Sequence, residues 1–125
     1  MIRGAIGEMF ITENTNFDLI CKEHVEKCMI GFIRDDKDNL CAPDLLLINK
    51  NQDIIPVEIK CLPMDVCFDI NNKAFYRELK LAKKQIKYIS EIINNIYEKK
   101  ISYGIIIFAF FTNTTYNTYY LKLNL

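Results

Sequence analysis

The chain has 125 residues, of which 50% are hydrophobic, and its 16 basic and 16 acidic side chains give a formal net charge of zero. This length and composition predict one folded domain, residues 1–125, and exclude an intrinsically disordered protein. No apolar run approaches the roughly 20 residues that span a bilayer, so we expect no membrane partner. Zero net charge disfavours a nucleic-acid binder unless its basic residues are segregated on one surface.

The cysteines predict a reducing environment. They are odd in number and show no CxxC spacing, which favours free thiols over disulfides or a zinc site. The five are Cys21, Cys28, Cys41, Cys61 and Cys67. The N-terminus also lacks a signal-peptide pattern. We therefore expect an intracellular protein that is not secreted, cytoplasmic or, in a eukaryotic or viral setting, nuclear.

The N-terminal part of the chain predicts one helix and two extended segments. Residues 1–12 favour a short helix that carries Glu8. Its apolar side would consist of Ile2, Ile6, Met9 and Phe10. Residues 17–21 and 28–34 are predicted to be extended, with a possible hairpin between them around the only histidine, His24. The acids of the following charged loop, Asp35 and Asp36, are typical of solvated positions.

A β-hairpin with an unusual set of charges is predicted next. Two apolar runs at residues 42–48 and 54–60 flank a polar turn. In the register that closes this turn, Asp44 faces Glu58, with Cβ atoms about 4.5–5.5 Å apart, and Lys60 points to the same face. Charges on an apolar strand pair are costly unless they bind a metal or each other, although an edge hairpin would leave them solvated.

A long amphipathic helix is predicted over residues 73–99, because apolar side chains recur there at a period of about 3.6. The apolar stripe consists of Phe75, Leu79, Ala82, Ile86, Ile89, Ile93 and Ile96. The opposite face carries Lys73, Arg77, Lys80, Lys83, Lys84 and Lys87. This face segregates positive charge within a neutral chain, although a lysine-rich helix face is also a common solvated surface. Gln85 lies at the edge of the apolar stripe.

Two strands are predicted after the helix. The continuous apolar run at residues 102–111 is typical of a strand covered on both faces, and residues 115–123 alternate as in a partly exposed strand. The predicted order is helix, three strands, helix and two strands. We therefore predict an α/β fold with a mixed, mostly antiparallel central sheet flanked by helices.

Pro43-Asp44, followed after thirteen residues by Glu58-Ile59-Lys60, resembles the signature of the PD-(D/E)xK nuclease superfamily. The predicted element order resembles the αβββαβ core of its restriction-endonuclease-like fold, with one strand added. Glu8 on the first helix and Gln85 on the long helix resemble further site residues of lambda-exonuclease-like and RecB-like members. Tyr88 follows Gln85 by three residues rather than four, which departs from the RecB pattern Q-x-x-x-Y.

The resemblance implies a nuclease that hydrolyses phosphodiester bonds, with DNA as the favoured substrate and Mg²⁺ or Mn²⁺ as the cofactor. The implied metal ligands are Glu8, Asp44, Glu58 and the carbonyl oxygen of Ile59. Lys60 would orient or deprotonate the attacking water, or stabilise the charged phosphate, and Gln85 would position the water or the substrate. The phosphate backbone would be held by Arg77, Lys80, Lys83, Lys84 and Lys87.

Three alternative functions stay open at this point. The spacing from Glu8 to Lys60 also resembles that of archaeal Holliday junction resolvases, which would imply a homo-oligomer acting on branched DNA. A metal-binding role for His24 would instead imply an RNA endonuclease of the cap-snatching type. The alternative from a different class is a non-catalytic nucleic-acid-binding or partner module on a nuclease fold.

Overall fold

The computed structural model describes residues 4–28, 33–41, 43–63 and 69–125. Within these residues the helices are α1 (Gly4–Asn14), α2 (Phe17–Cys21) and α3 (Lys73–Asn95). The strands are β1 (Val25–Lys27), β2 (Ile33–Arg34), β3 (Leu40–Cys41), β4 (Leu45–Asn49), β5 (Ile54–Pro63), β6 (Tyr103–Phe111) and β7 (Tyr116–Asn124). None of these helices is long and apolar enough to cross a membrane.

A mixed five-stranded sheet with the order β1-β4-β5-β6-β7 forms the centre of the fold, and β2 and β3 make a separate small hairpin. Neighbouring strands of the large sheet are antiparallel except for β5 and β6, which are parallel and joined through α3. The predicted α/β class, the mixed and mostly antiparallel sheet and the long helix are confirmed.

The register of the central hairpin agrees with the prediction. Leu45 pairs with Val57, and the Asn49 N–H donates to the Asp53 carbonyl oxygen at 3.1 Å, which closes the turn. The side-chain oxygen of Asn49 also accepts from the Asp53 N–H at 3.0 Å. The turn therefore fixes which residues of the two strands face each other.

The two strands of this hairpin differ in length, and the difference opens the sheet. β4 begins at Leu45, whereas β5 continues past that point to Pro63, paired with β6. Asp44 therefore lies just outside β4, at the position opposite Glu58. We call the space beside residues 58–63 of β5, beyond the start of β4, the notch. No strand in the described part of the chain pairs with β5 there.

Helices cover both faces of the sheet. Alternate residues Ile55, Val57 and Ile59 of β5 belong to a core with α1 and α2, whereas α3 packs on Ile106 and Phe108 of β6. All nine residues of β6 are buried, which explains why its sequence is apolar without alternation. Glu58 and Lys60 occupy the alternate positions of β5 and so face α3.

The prediction of an extended segment at residues 17–21 is wrong, because these residues form α2. The side-chain oxygen of Asn16 accepts from the Leu19 N–H at 3.3 Å and caps the helix, which ends at Lys22 with a φ of 56°. The predicted hairpin around His24 is therefore also wrong. In the second predicted extended segment, residues 29–32 lie outside the described residues, and Ile33–Arg34 are in β2.

Two details of the predicted helices also need correction. On α1, Ile6 and Met9 are 71% and 61% exposed, whereas Ile11 is buried, so these two members of the predicted apolar side do not pack on the sheet. Phe10 does pack on the core, and Ile2 lies outside the described residues. The long helix ends at Asn95 rather than at residue 99, and Ile96 is exposed. The chain turns back there through residue 98, whose φ is 55°.

Gly104 of β6 provides a test of the packing of α3. A Cβ atom at this position would lie 2.7 Å from Cγ2 of Ile86 and 3.3 Å from the carbonyl oxygen of Pro56. Because Ile86 is buried and this methyl group is attached to its Cβ, we expect Gly104→Ala to lower the free energy of unfolding by about 1–3 kcal/mol. Urea unfolding measures this change.

The matched background for this test is Ile86→Ala, which removes the methyl group that the new Cβ would meet. In the Ile86→Ala background we expect Gly104→Ala to lower the free energy of unfolding by clearly less. The difference between the two backgrounds is the coupling energy of the two positions. An equal cost in both backgrounds would show that α3 does not approach the sheet at Gly104 as described.

Candidate active site

Asp44 is fixed at the notch by a backbone hydrogen bond. Its Oδ2 accepts from the Ile59 N–H at 2.8 Å. This N–H is available because β4 begins only at Leu45, so the β4 pairing stops at Val57 and does not reach Ile59. Since the N–H and C=O of one strand residue point to the same edge, the Ile59 carbonyl also faces the notch.

Glu58 brings a second carboxylate, from within β5. It is only 7% exposed, and its carboxyl group lies near that of Asp44. Burial is the main cause that raises the pKa of Glu58 from 4.5 to about 8, and the negative charge of Asp44 adds to it. The Lys60 Nζ, 3.7 Å from Glu58 Oε2, acts in the opposite direction.

Glu8 reaches the notch from α1, which packs against β5 on the other face of the sheet. Its carboxyl group lies near that of Asp44. Partial burial, followed by the charge of Asp44, raises the pKa of Glu8 to about 7, while Lys60 opposes the rise. The pKa of the neighbouring Cys61 thiol is raised to about 11, first by burial and then by the charges of Glu8 and Asp44. Asp44 therefore links carboxylates that come from opposite faces of the sheet.

Asp44 raises the pKa of both Glu8 and Glu58, and the charge of Glu8 also raises the pKa of Glu58. Among the described residues, no three acidic, histidine or cysteine side chains are already arranged around one point as metal ligands. The raised pKa values of Glu8 and Glu58 reflect their burial first and the charge of Asp44 second. When all three carboxyl groups are ionised, the single ammonium group of Lys60 leaves a net negative charge. Carboxylate oxygens suit Mg²⁺ or Mn²⁺, which would neutralise this charge.

Gln85 lines a cleft beside this group, and its role in the site stays a prediction. A cleft of about 220 Å³ has both Glu58 and Gln85 in its wall. The remaining lining residues are Leu40, Cys41, Pro43, Tyr88 and Ile89. The cleft therefore connects the α3 side of the notch with the solvent-exposed edge of the helix.

The contact between Tyr88 and Asp35 was not predicted from the sequence. The Tyr88 hydroxyl donates to Asp35 Oδ2 at 2.7 Å, and Asp35 also accepts from the backbone N–H groups of Lys37 and Asn39. The hydrogen bond from Tyr88 is the main cause that lowers the pKa of Asp35. This acid therefore holds its own loop against α3 beside the cleft. The Asp-x-x-x-Asn spacing indicates such a turn, but not its distant partner.

His24 does not lie near the carboxylates of the notch. It precedes β1, in which Val25 pairs with Asn49, at the far end of β4 from Asp44. Five strand residues separate the two ends, or about 16 Å. The imidazole Nδ1 lies 3.1 Å from Asp18, and this exposed hydrogen bond is the main cause that raises the pKa of His24.

The basic face of α3 is where the sequence predicts it. Every member of the predicted set is exposed: Lys73, Arg77, Lys80, Lys83, Lys84 and Lys87. They lie on the solvent side of the helix, while the buried stripe packs on the sheet. Their contact with phosphates stays a prediction.

In buffer containing EDTA, we expect the melting temperature to fall as the pH rises from about 5 to about 8. On folding, the pKa of Glu58 rises from 4.5 to about 8 and that of Glu8 from 4.5 to about 7, so the folded state binds their protons more tightly. The resulting stability is complete below pH 4.5 and is lost as the pH passes the folded values. The drop should exceed about 3 °C, because about 1 kcal/mol shifts the melting temperature of a domain this size by about 2–8 °C.

Differential scanning fluorimetry of wild type and Glu58→Gln across this pH series tests the expectation. His24, whose pKa is also raised, mainly by its hydrogen bond to Asp18, contributes a slope of the same sign in both proteins. The difference between the two curves therefore isolates Glu58. Identical slopes, or a melting temperature that rises with pH, would contradict the expected cost of charge at the notch.

A scan against protein-family models, a search of curated proteins and a search of solved structures each returned no match for this chain. The residues at the notch are therefore the whole basis for assigning a chemical function to this chain.

Proposed function

We propose that this chain is a metal-dependent nuclease with a restriction-endonuclease-like core, acting on DNA. The observation that supports this most is the meeting of Glu8, Asp44 and Glu58 with Lys60 at one notch of the mixed sheet. These four residues come from a helix, the start of a hairpin and its second strand. Asp44, Glu58 and Lys60 are also the positions that resemble the PD-(D/E)xK signature, and Glu8 resembles a further site residue of lambda-exonuclease-like and RecB-like members.

The residues at the notch fit a hard divalent cation. Glu8, Asp44 and Glu58, with the carbonyl of Ile59, would hold Mg²⁺ or Mn²⁺ through oxygen atoms. When bound, such an ion supplies positive charge for the scissile phosphate and lowers the pKa of a nearby water.

The chain's own groups would perform the positioning. The Ile59 N–H holds Asp44 in place, so one carboxylate is oriented before any substrate arrives. Lys60 is 17% exposed, and in this partly dry position its ammonium charge acts more strongly on a phosphate oxygen than it would in water. Gln85, in the wall of the cleft with Glu58, can hydrogen-bond the substrate or the attacking water.

The alternatives differ in their support. The position of His24 removes the residue on which an RNA endonuclease of the cap-snatching type depended. A junction resolvase would use the same notch and would be distinguished by its substrate. A non-catalytic module has no need for Glu58 and Lys60 to be kept close together with little solvent exposure.

We expect the wild type to cleave nucleic acid in Mg²⁺ or Mn²⁺ and not in EDTA. Asp44→Asn, Glu58→Gln and Lys60→Met should each lower the rate by at least about 100-fold. The assay compares a panel of linear duplex, circular single strand, four-way junction and RNA. In EDTA, Asp44→Asn should melt higher than wild type, because it removes a charge that repels two neighbours.

Thermal shift provides the control for the metal. Mn²⁺ should raise the melting temperature of wild type, and Asp44→Asn should lose most of that gain. Wild-type cleavage by all three variants, or an equal Mn²⁺ shift in Asp44→Asn, would show that the notch is not the active site.

A separate prediction concerns the acid contributed by α1. Glu8→Gln should weaken Mn²⁺ binding and cleavage at least about tenfold, because removing one of the metal's oxygen ligands weakens its hold. Glu13→Gln is the matched control, since Glu13 is an exposed acid on the same helix. Asp35→Asn should also have little effect, because an amide oxygen can still accept the loop's N–H bonds. Isothermal titration measures the Mn²⁺ affinity of all three variants. A larger loss of affinity in Asp35→Asn than in Glu8→Gln would show that the third metal-binding carboxylate is Asp35 of the loop.

A further inference from the structure

The outer side of α3 carries a second feature, an open groove of about 470 Å³. We call it the α3 groove, and its lining residues are Tyr76, Arg77, Lys80, Leu81 and Lys84. Its apolar members Tyr76 and Leu81 are 44% and 45% exposed. Three of the five lining residues are cationic and none is acidic. The groove thus combines exposed apolar surface with positive charge.

The charge of α3 indicates that its ligand is negatively charged. The helix contains six of the chain's 16 basic side chains and only two of its 16 acidic ones. In a chain of zero net charge, this excess makes α3 a local positive surface. A ligand with several negative charges complements the groove, whereas a neutral apolar peptide would leave the three cations without partners.

The side chain of Tyr76 indicates which class of polyanion the α3 groove would bind. Lys80 Nζ lies 5.5 Å from the centre of the Tyr76 ring, on one face of it. Stacking of a base on the other face would require a base that is not already inside a duplex stack. Aromatic rings set among cations are the composition that single-strand binding sites use. Duplex phosphates would engage the cations alone.

The α3 groove also leads toward the notch. Steps of four residues along a helix stay on one side, so Leu81 is followed on that side by Gln85, and Lys84 by Tyr88. Gln85 and Tyr88 line the cleft that contains Glu58. The nine residue steps from Tyr76 to Gln85 span about 14 Å of helix. One strand lying along α3 could therefore occupy both the groove and the cleft.

We propose that the α3 groove binds an unpaired polynucleotide strand, with a base stacked on Tyr76 and with phosphates held by Arg77, Lys80 and Lys84. The inference rests on the proposed function in one respect, that the bound strand is the substrate delivered to the notch. Binding at the groove itself requires none of the notch carboxylates.

The test is fluorescence anisotropy in EDTA with two probes, an oligothymidine of about 20 nucleotides and a duplex of the same length. Wild type should bind the single strand at least about fivefold more tightly. Tyr76→Ser should weaken single-strand binding about 5- to 100-fold and change duplex binding less than about twofold. Tyr76→Phe, which keeps the ring, should bind like wild type.

Tyr120→Ser is the matched control for loss of an exposed tyrosine. Tyr120 is 48% exposed and pairs with Ile107, so it lies on the α1 and α2 side of the sheet, away from the groove. This variant should bind both probes like wild type. Replacing Arg77, Lys80 and Lys84 together by Gln should weaken both, and each lost contact should lower the salt slope by about 0.7 for the single strand and about 0.9 for the duplex.

Equal affinity for the two probes, or wild-type binding by Tyr76→Ser, would overturn the inference. Tighter binding to phosphatidylserine vesicles than to the single strand, also lost in Tyr76→Ser, would overturn it in favour of a membrane surface. Single-strand binding that depends on Tyr76, in a protein that cleaves nothing, would support the groove and reject the nuclease. Cleavage that depends on Asp44 but not on Tyr76 would support the nuclease and reject the groove.

Discussion

The unequal lengths of β4 and β5 are the constraint on which the candidate site depends. β5 pairs with β4 from Ile54 to Val57 and with β6 from Val57 to Pro63, so beyond Val57 its only partner in the described part of the chain is β6. A strand edge exposes backbone groups that need partners, and here the Asp44 carboxylate bonds to the Ile59 N–H. Had β4 continued for two more residues, this N–H would face a strand and Asp44 would have no fixed place. The notch is thus a consequence of where the pairing stops.

Burial at the notch has opposite consequences for stability and for binding. Glu58 is almost fully buried beside Asp44, so its ionised form is disfavoured and its pKa rises to about 8. Protons and divalent cations therefore compete for the same oxygen atoms, and binding of an ion would release protons. Lys60 offsets part of the charge without removing it. The charge that costs stability in the metal-free protein is the charge that would attract Mg²⁺.

The parts of the structure that follow from local pattern were predictable. The hairpin register follows from the turn between two apolar runs, and it placed Asp44 opposite Glu58 correctly. The segment at residues 17–21 could not be assigned by its apolar residues, because the Asn16 cap outside the segment decides its conformation. The contact between Tyr88 and Asp35 joins residues 53 positions apart, which no periodicity encodes. Sequence pattern therefore located the residues of the notch but not the loop that packs beside it.

α3 couples the two halves of the proposed chemistry. As the crossover between parallel β5 and β6, it must cross the sheet next to the strand that holds Glu58 and Lys60. Its buried stripe fixes its rotation about its own axis, since Ile86 contacts the position of Gly104. That rotation in turn places Gln85, at the edge of the stripe, beside the cleft. It also directs the basic side chains outward to solvent. The fold therefore couples carboxylates, cleft and positive surface through one helix, and the packing at Gly104 fixes their relative orientation.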